Sequence, residues 1–198
     1  MTTKHGNDSH ASRAARAASP FAGFRADHVR VLSRIAALER EVFGARGFRA
    51  GAVARLGPLI ALLDRQFASH MAAEDAVLYP WLARALPESL VTVEALGADH
   101  AELRSLLAGI AAGVGCPANR ARDEQLGIQL RDLLDLLRLH IRREESAVFE
   151  VADRILCATD ARDLTRRLIR FLSVVSPAPA GVGHAHVSVA RPTRERKS

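Results

Sequence analysis

Four stretches of this chain carry apolar residues at three- and four-residue steps, and each stripe is broken at a similar height by histidine, alone or with glutamate. The first reads Phe24, His28, Val31, Ile35, Leu38, Val42, and the second Ile60, Leu63, Phe67, His70, Glu74, Val77, Trp81. The third reads Val93, Leu96, His100, Leu103, Leu107, Ile110, Val114. The fourth reads Leu126, Leu130, Leu133, Leu137, His140, Glu144, Ala147, Val151. These steps return to one face of an α-helix. Four such faces leave water only by meeting one another. The expected fold is therefore all-α, an up-down-up-down four-helix bundle with short connections. His28, His70, Glu74, His100, His140 and Glu144 then point into a shared core.

Breaker residues set the expected boundaries. A first helix is predicted over 21–43, stopped by Gly44. A second is predicted to begin near Gly57-Pro58, since proline is tolerated in a first turn, and to run to Leu86. Pro80 within it is expected to kink it or end its regular part, because proline removes a helix hydrogen bond and crowds the preceding turn. A third helix is predicted over 88–112, before the breaker cluster at 113–117, and a fourth over 122–156. A short extra C-terminal helix over 160–172 follows, with Asp160 as its N-cap. Little reads as strand. Residues 1–20 are small and polar, and the stretch after Val175 holds Pro177, Pro179, Gly181, Gly183 and Pro192. The expected organisation is a disordered tail over 1–20, one bundle domain over 21–175 and a disordered basic tail over 176–198. With 198 residues, 48% of them apolar and only 5% aromatic, one sizeable and mostly aliphatic core is available.

A carboxylate buried without a partner costs several kcal/mol or takes up a proton. Two of them among four inward histidines would make a poor plain core. A bound dication reverses the penalty, because neutral imidazole and ionised carboxylate are its natural ligands. His70 and Glu74, like His140 and Glu144, lie four residues apart on one helix face, so each pair can reach a shared metal pair. An internal repeat supports a single centre. Ala26-Asp27-His28 recurs as Ala98-Asp99-His100, 72 residues on, and the His70–Asp75 segment recurs as His140–Glu145, 70 residues on. The second match continues through Tyr79/Phe149, Arg84/Arg154 and Leu86/Leu156. Two helical hairpins related by a pseudo-two-fold axis would gather His, His and Glu from each half, which suits two metals bridged by two carboxylates. His5, His10, His184 and His186 lack a helical context and are not expected to join them.

The pattern H…HxxxE…H…HxxxE, with Leu78-Tyr79-Pro80 after the first HxxxE, resembles the hemerythrin-like, or HHE cation-binding, family in its four-histidine, two-glutamate form. The resemblance covers residues 21–156. It implies a non-haem di-iron centre with two imidazoles per iron, bridging carboxylates from Glu74 and Glu144, and an oxo or hydroxo bridge. Iron is favoured over manganese or zinc by the resemblance alone, since these ligands accept all three metals. Oxygen-carrying hemerythrins add a histidine four residues after the third-helix histidine and end in HxxxxD. Here that added position is Arg104, and the last carboxylate is Glu144 on the seam, with Glu145 rotated about 100° away. The chain is thus more similar to the cluster-repair and peroxide-reactive members. The repair members carry a cysteine-containing N-terminal segment, and no cysteine precedes Cys116 here.

The resemblance implies open metal positions that admit hydrogen peroxide, dioxygen or nitric oxide, with no catalytic residues separate from the ligands. Phe67, Val77, Leu103, Leu107 and Leu137 are expected to wall the centre off from bulk water. Asp27, Asp75, Asp99 and Glu145 read either as hydrogen-bond partners of the ligand histidines or as surface and cap carboxylates. Function stays open between a di-iron enzyme of stress defence or iron homeostasis, a reversible oxygen-binding or oxygen- or iron-sensing module, and an interaction protein acting through its tails.

The formal charge of +6 and the two lysines, Lys4 and Lys197, leave the basic character to arginine. Arg13, Arg16, Arg191, Arg194 and Arg196 sit in the tails without interleaved aromatics, so nucleic acid is not expected as a partner. No apolar run approaches the ~20 residues of a membrane span, and the first 20 residues lack the apolar segment of a secretory signal. Cys116 and Cys157 make neither a disulfide framework nor a thiolate metal site. The expected location is the cytoplasm.

Overall fold

The computed structural model describes residues 19–44, 47–49 and 51–175. The expected tails fall outside these residues apart from Ser19 and Pro20, and so do His5, His10, His184, His186 and the tail arginines. Among the described residues seven α-helices follow in chain order: α1 Ala22–Val42, α2 Val53–Ala73, α3 Tyr79–Ala85, α4 Leu90–Gly115, α5 Arg120–Arg143, α6 Glu150–Ile155 and α7 Ala158–Val175. Helix α1 packs on α2, α2 on α4, α4 on α5, and α5 closes against α1, which makes the all-α up-down-up-down bundle. A two-residue antiparallel ladder, Phe43–Gly44 with Gly47–Phe48, lies in the α1–α2 connection. Helix α7 lies against α2 and the turn that follows it.

Several boundaries differ from the sequence-based expectation, each for a packing reason. Helix α2 starts a turn before Pro58 because Val53 and Leu56 are drawn into the core. Helix α4 runs through Gly113 to Gly115. A Cβ on Gly113 would stand 2.7 Å from the Cδ2 of Leu126, which is itself buried, so glycine there serves the close approach of α4 and α5. Helix α7 begins at Ala158, so Asp160 lies in its first turn and is not the cap. Cys157 takes that place: its Sγ accepts from the Asp160 N–H at 3.5 Å and donates to Asp160 Oδ2 at 3.0 Å.

The largest departure is a π-helical turn in each half. Residues Glu74–Leu78 join α2 to α3, and Glu144–Phe149 join α5 to α6, in the wider i→i+5 winding. Regular winding does end before Pro80, as expected, but proline is not the cause. The equivalent position in the second half is Glu150, and the same turn forms there. Each π turn inserts residues into the winding and advances the inner face by one position. Val77, Trp81, Ala147 and Val151 are therefore only half-buried, while Leu78, Tyr79, Leu82, Val148, Phe149 and Ala152 are buried in their place.

The core divides into two apolar clusters along the bundle. One holds Val31, Ile35, Phe67, Leu103, Leu107 and Leu137 among others, toward the ladder end. The other holds Phe21, Phe24, Leu78, Leu96, Val148 and Phe149, and is completed by Leu164 and Leu168 of α7. On all four main helices the chain crosses from one cluster to the other through a histidine: Phe24–His28–Val31, Phe67–His70–Leu78, Leu96–His100–Leu103 and Leu137–His140–Val148. A polar layer thus lies between two dry ones.

Candidate metal centre

That layer is made by the six residues that interrupt the stripes. His28, His70, Glu74, His100, His140 and Glu144 are at most 2% exposed, and Ser89 alone joins them as a buried polar residue among those described. Helices α1, α2, α4 and α5 each bring one histidine. The two glutamates stand at the first position of each π turn, one helical turn beyond His70 and His140. The histidines meet in two pairs, His28 Nε2 to His70 Nε2 at 3.1 Å and His100 Nε2 to His140 Nε2 at 3.1 Å.

The outward nitrogens face carboxylates in a crossed pattern that follows the repeat. His70 Nδ1 faces Asp27 Oδ2 at 3.3 Å and His140 Nδ1 faces Asp99 Oδ2 at 3.6 Å, too long for a hydrogen bond. His28 Nδ1 faces Glu145 Oε1 at 3.0 Å, and His100 Nδ1 faces Asp75 Oδ1 at 2.7 Å. Hydrogen-bond partnership with the histidines is realised for Asp27, Asp75 and Glu145, whereas Asp99 stands too far from His140 for a hydrogen bond and pairs with Arg143. Glu145 does leave the seam, but its side chain reaches back to α1. Arginines clamp the carboxylates from outside: Arg25 on Glu145 at 3.2 Å, Arg104 on Asp75 at 3.4 Å, Arg143 on Asp99 at 3.1 Å, and Arg30 on Asp27. Arg104 therefore points outward and steadies the partner of His100.

An Nδ1–H that donates to a carboxylate leaves the Nε2 lone pair of a neutral imidazole facing inward. Those inward atoms meet only other acceptors. Glu144 Oε2 lies 3.2 Å from His28 Nε2 and 3.6 Å from His140 Nε2. Glu74 Oε1 lies 2.9 Å from His70 Nε2, and its Oε2 lies 3.5 Å from His100 Nε2. Despite these approaches, both Glu74 oxygens, Glu144 Oε2 and His140 Nδ1 have no hydrogen bond. Lone pairs crowded together in a dry core repel one another, and a cation among them turns each into a ligand. The donor atoms fall into two metal-sized groups, His28/His70/Glu74/Glu144 and Glu74/His100/His140, that share Glu74. The residues present fit a pair of metal ions.

Protonation in the metal-free chain reflects the same crowding. Burial, and then the neighbouring Glu144 charge, push Glu74 well above the usual carboxylate range. Burial acts on Glu144 in the same sense, but the adjacent His28 and His140 rings and the Tyr79 hydroxyl outweigh it and bring it down to about 2. Burial brings His140 down to about 4. Asp27, Asp75 and Glu145 are held low by the histidines they face, against the effect of their partial burial.

Two contributors were not legible in the stripes. Tyr79 donates its hydroxyl to Glu144 Oε1 at 2.7 Å and stacks on His100, with ring centroids 5.6 Å apart. Its counterpart Phe149 stacks on His28 at 5.5 Å. The signal available was the repeat itself, an aromatic five residues after each glutamate. Of the expected wall, Phe67, Leu103, Leu107 and Leu137 are buried on the ladder side, and Val77 is turned aside by the π turn. Phe24, Leu78, Leu96 and Val148 close the other side.

The family model for the hemerythrin HHE cation binding domain matches residues 19–152, which include all six of these residues. Neither a curated protein nor a solved structure matches the chain.

Proposed function

The chain belongs to the hemerythrin HHE cation-binding domain family, and on that premise we propose that it is a non-haem di-iron protein whose centre reacts with hydrogen peroxide, dioxygen or nitric oxide. In this reading His28, His70 and Glu144 would hold one iron and His100 and His140 the other, with Glu74 serving both donor groups. The domain over 21–175 carries the centre. The observation that supports it most is the cluster of inward lone pairs and unpaired carboxylate oxygens at the middle of a dry core.

Two bound irons supply redox chemistry toward small oxidants. The protein's own residues do the rest. The Nδ1-facing carboxylates fix each imidazole's orientation and make it a better donor. The two apolar clusters exclude bulk water. Tyr79 donates its hydroxyl to Glu144 and aims the carboxylate. Arg104, at the position where an oxygen carrier has a further histidine, pairs with Asp75 and adds no ligand, which favours a reactive centre over a dedicated carrier. The exposed, unpaired Cys116 and Cys157 suit a reducing compartment, and the cytoplasm is the proposed location. No described helix is long and apolar enough to cross a membrane.

The test is to load the chain with iron anaerobically and challenge it. Hydrogen peroxide should be disproportionated to water and dioxygen, with the activity lost in Glu74→Ala and His140→Ala. A stable, reversible spectrum on exposure to dioxygen, without turnover of peroxide, would instead make the chain a binding or sensing module.

A further inference from the structure

Helix α7 lies beyond the stretch matched by the family model, yet it leans on α2 and on the π turn that holds Glu74. Beneath it a cleft of about 180 Å³ opens between α1, α2 and α7. Gly23 and Ile169 stand at this cleft, Phe24 and Leu168 line it, and Asp27 and His70 form part of its wall. Three larger cavities touch none of the six residues of the polar layer. This one touches His70, which is 2% exposed.

The lining decides what the cleft can hold. It is mostly hydrocarbon, and its volume is close to the roughly 150 Å³ of the enclosed apolar cavities that hold a xenon atom or a benzene ring. A hydrated anion would give up its water to an apolar wall and meet there the acceptor oxygens of the Asp27 side chain. An uncharged diatomic loses little on entering. At the inner end Phe24 sits edge-on to His70, with ring centroids 5.0 Å apart. A molecule resting in the cleft is therefore one aromatic ring and one imidazole away from the metal layer.

We propose that the cleft beneath α7 is a binding site for a small, uncharged, apolar molecule and the port through which such a reactant reaches the centre. Its role as a port rests on the di-iron reading; its role as a binding site does not. It follows that α7 sets which small molecules arrive: dioxygen and nitric oxide pass readily, and anions such as azide are retarded.

Xenon is the probe for the site, followed by NMR titration of the metal-free full-length chain. Gly23→Trp and Ile169→Trp plug the cleft from two helices. A Cβ on Gly23 meets nothing within 4 Å, and Ile169 is 63% exposed, so neither change disturbs the core. Val29→Trp, on the exposed side of α1, is the control. Saturable xenon binding is expected in the wild type and in Val29→Trp, weakened about tenfold or more in either plug. In iron-loaded, reduced protein the same plugs should slow reaction with dioxygen about tenfold, with iron content unchanged. A wild type with no saturable xenon site, or a site that survives both plugs, overturns the cleft. Plugs that exclude xenon but leave the dioxygen rate within about twofold overturn the port. Iron content is read on the same samples. A chain that holds no iron fails the di-iron reading, and the xenon result still decides the cleft.

Discussion

The two glutamates of the polar layer have the same helix position, the same π turn and the same burial, but different company. Glu144 accepts a hydroxyl from Tyr79 on one oxygen and sets the other between His28 and His140. Glu74 divides its oxygens between His70 and His100 and receives no hydrogen bond on either. The repeat explains both the likeness and the difference. It duplicates the backbone that delivers the ligands, but gives the second half a phenylalanine where the first has a tyrosine. Duplication thus accounts for the geometry of the centre, and the unduplicated hydroxyl adds to the effect of His28 and His140, which holds Glu144 below the usual carboxylate range.

The largest expected effect is on metal content. Glu74 belongs to both donor groups and Glu144 to one. Glu74→Ala should lose nearly all bound iron, whereas Glu144→Ala should retain about half, measured by metal analysis after anaerobic loading. Equal losses would contradict the unequal parts of the two glutamates in the donor groups.

The next effect is on the stability of the metal-free chain, and its sign differs between the two. A carboxylate whose folded pKa is raised, as for Glu74, costs stability progressively as pH rises above its ordinary 4.5. One whose folded pKa is lowered to about 2, as for Glu144, contributes stability that is present above 4.5 and lost as pH falls toward 2. Denaturant unfolding at neutral pH should therefore find metal-free Glu74→Gln more stable than the wild type. Glu144→Gln should be less stable by about 1.5–3 kcal/mol, as for the loss of a hydrogen bond to a charged group. His140, lowered to about 4, adds stability that is lost as pH falls from 6.5 to 4. Tyr79→Phe removes a hydrogen bond to a charged group and should cost about 1.5–3 kcal/mol by the same measurement. A Tyr79→Phe chain as stable as the wild type would remove the hydroxyl from the account.

Smaller effects come from the outer carboxylates. Asp75→Asn, which breaks a 2.7 Å contact to His100, should weaken metal binding about 10–100-fold in a competitive titration. Asp99→Asn, whose contact with His140 is 3.6 Å, should weaken it less. Arg104→Ala, at a half-exposed ion pair, should change stability by no more than about 1 kcal/mol.

Much of this centre is written in the sequence, and the limit of its legibility is physical. The stripes predict a four-helix bundle and gather the same six residues the fold brings together, because a helix of 3.6 residues per turn carries a residue's face forward without ambiguity. That extrapolation fails one turn after each glutamate. The π turns shift the face, so Val77 and Ala147 leave the seam and Leu78 and Val148 enter it. Nothing in local composition marks a π turn, and Pro80 points to a cause that Glu150 shows to be unnecessary. The carboxylate partners were visible as candidates but not as choices, since only the crossing of α1 past α2 and α5 brings Asp27 to His70 and Glu145 to His28. The arginine clamps come from positions that do not repeat, and periodicity is silent about them.

The most direct measurement is an anaerobic iron titration of the full chain, with metal content and thermal stability read together. Saturation is expected at about two irons per chain, with a melting temperature that rises with each, as bound cations relieve the crowded lone pairs around Glu74. Saturation below about one iron per chain, or a melting temperature indifferent to iron, would contradict that expectation.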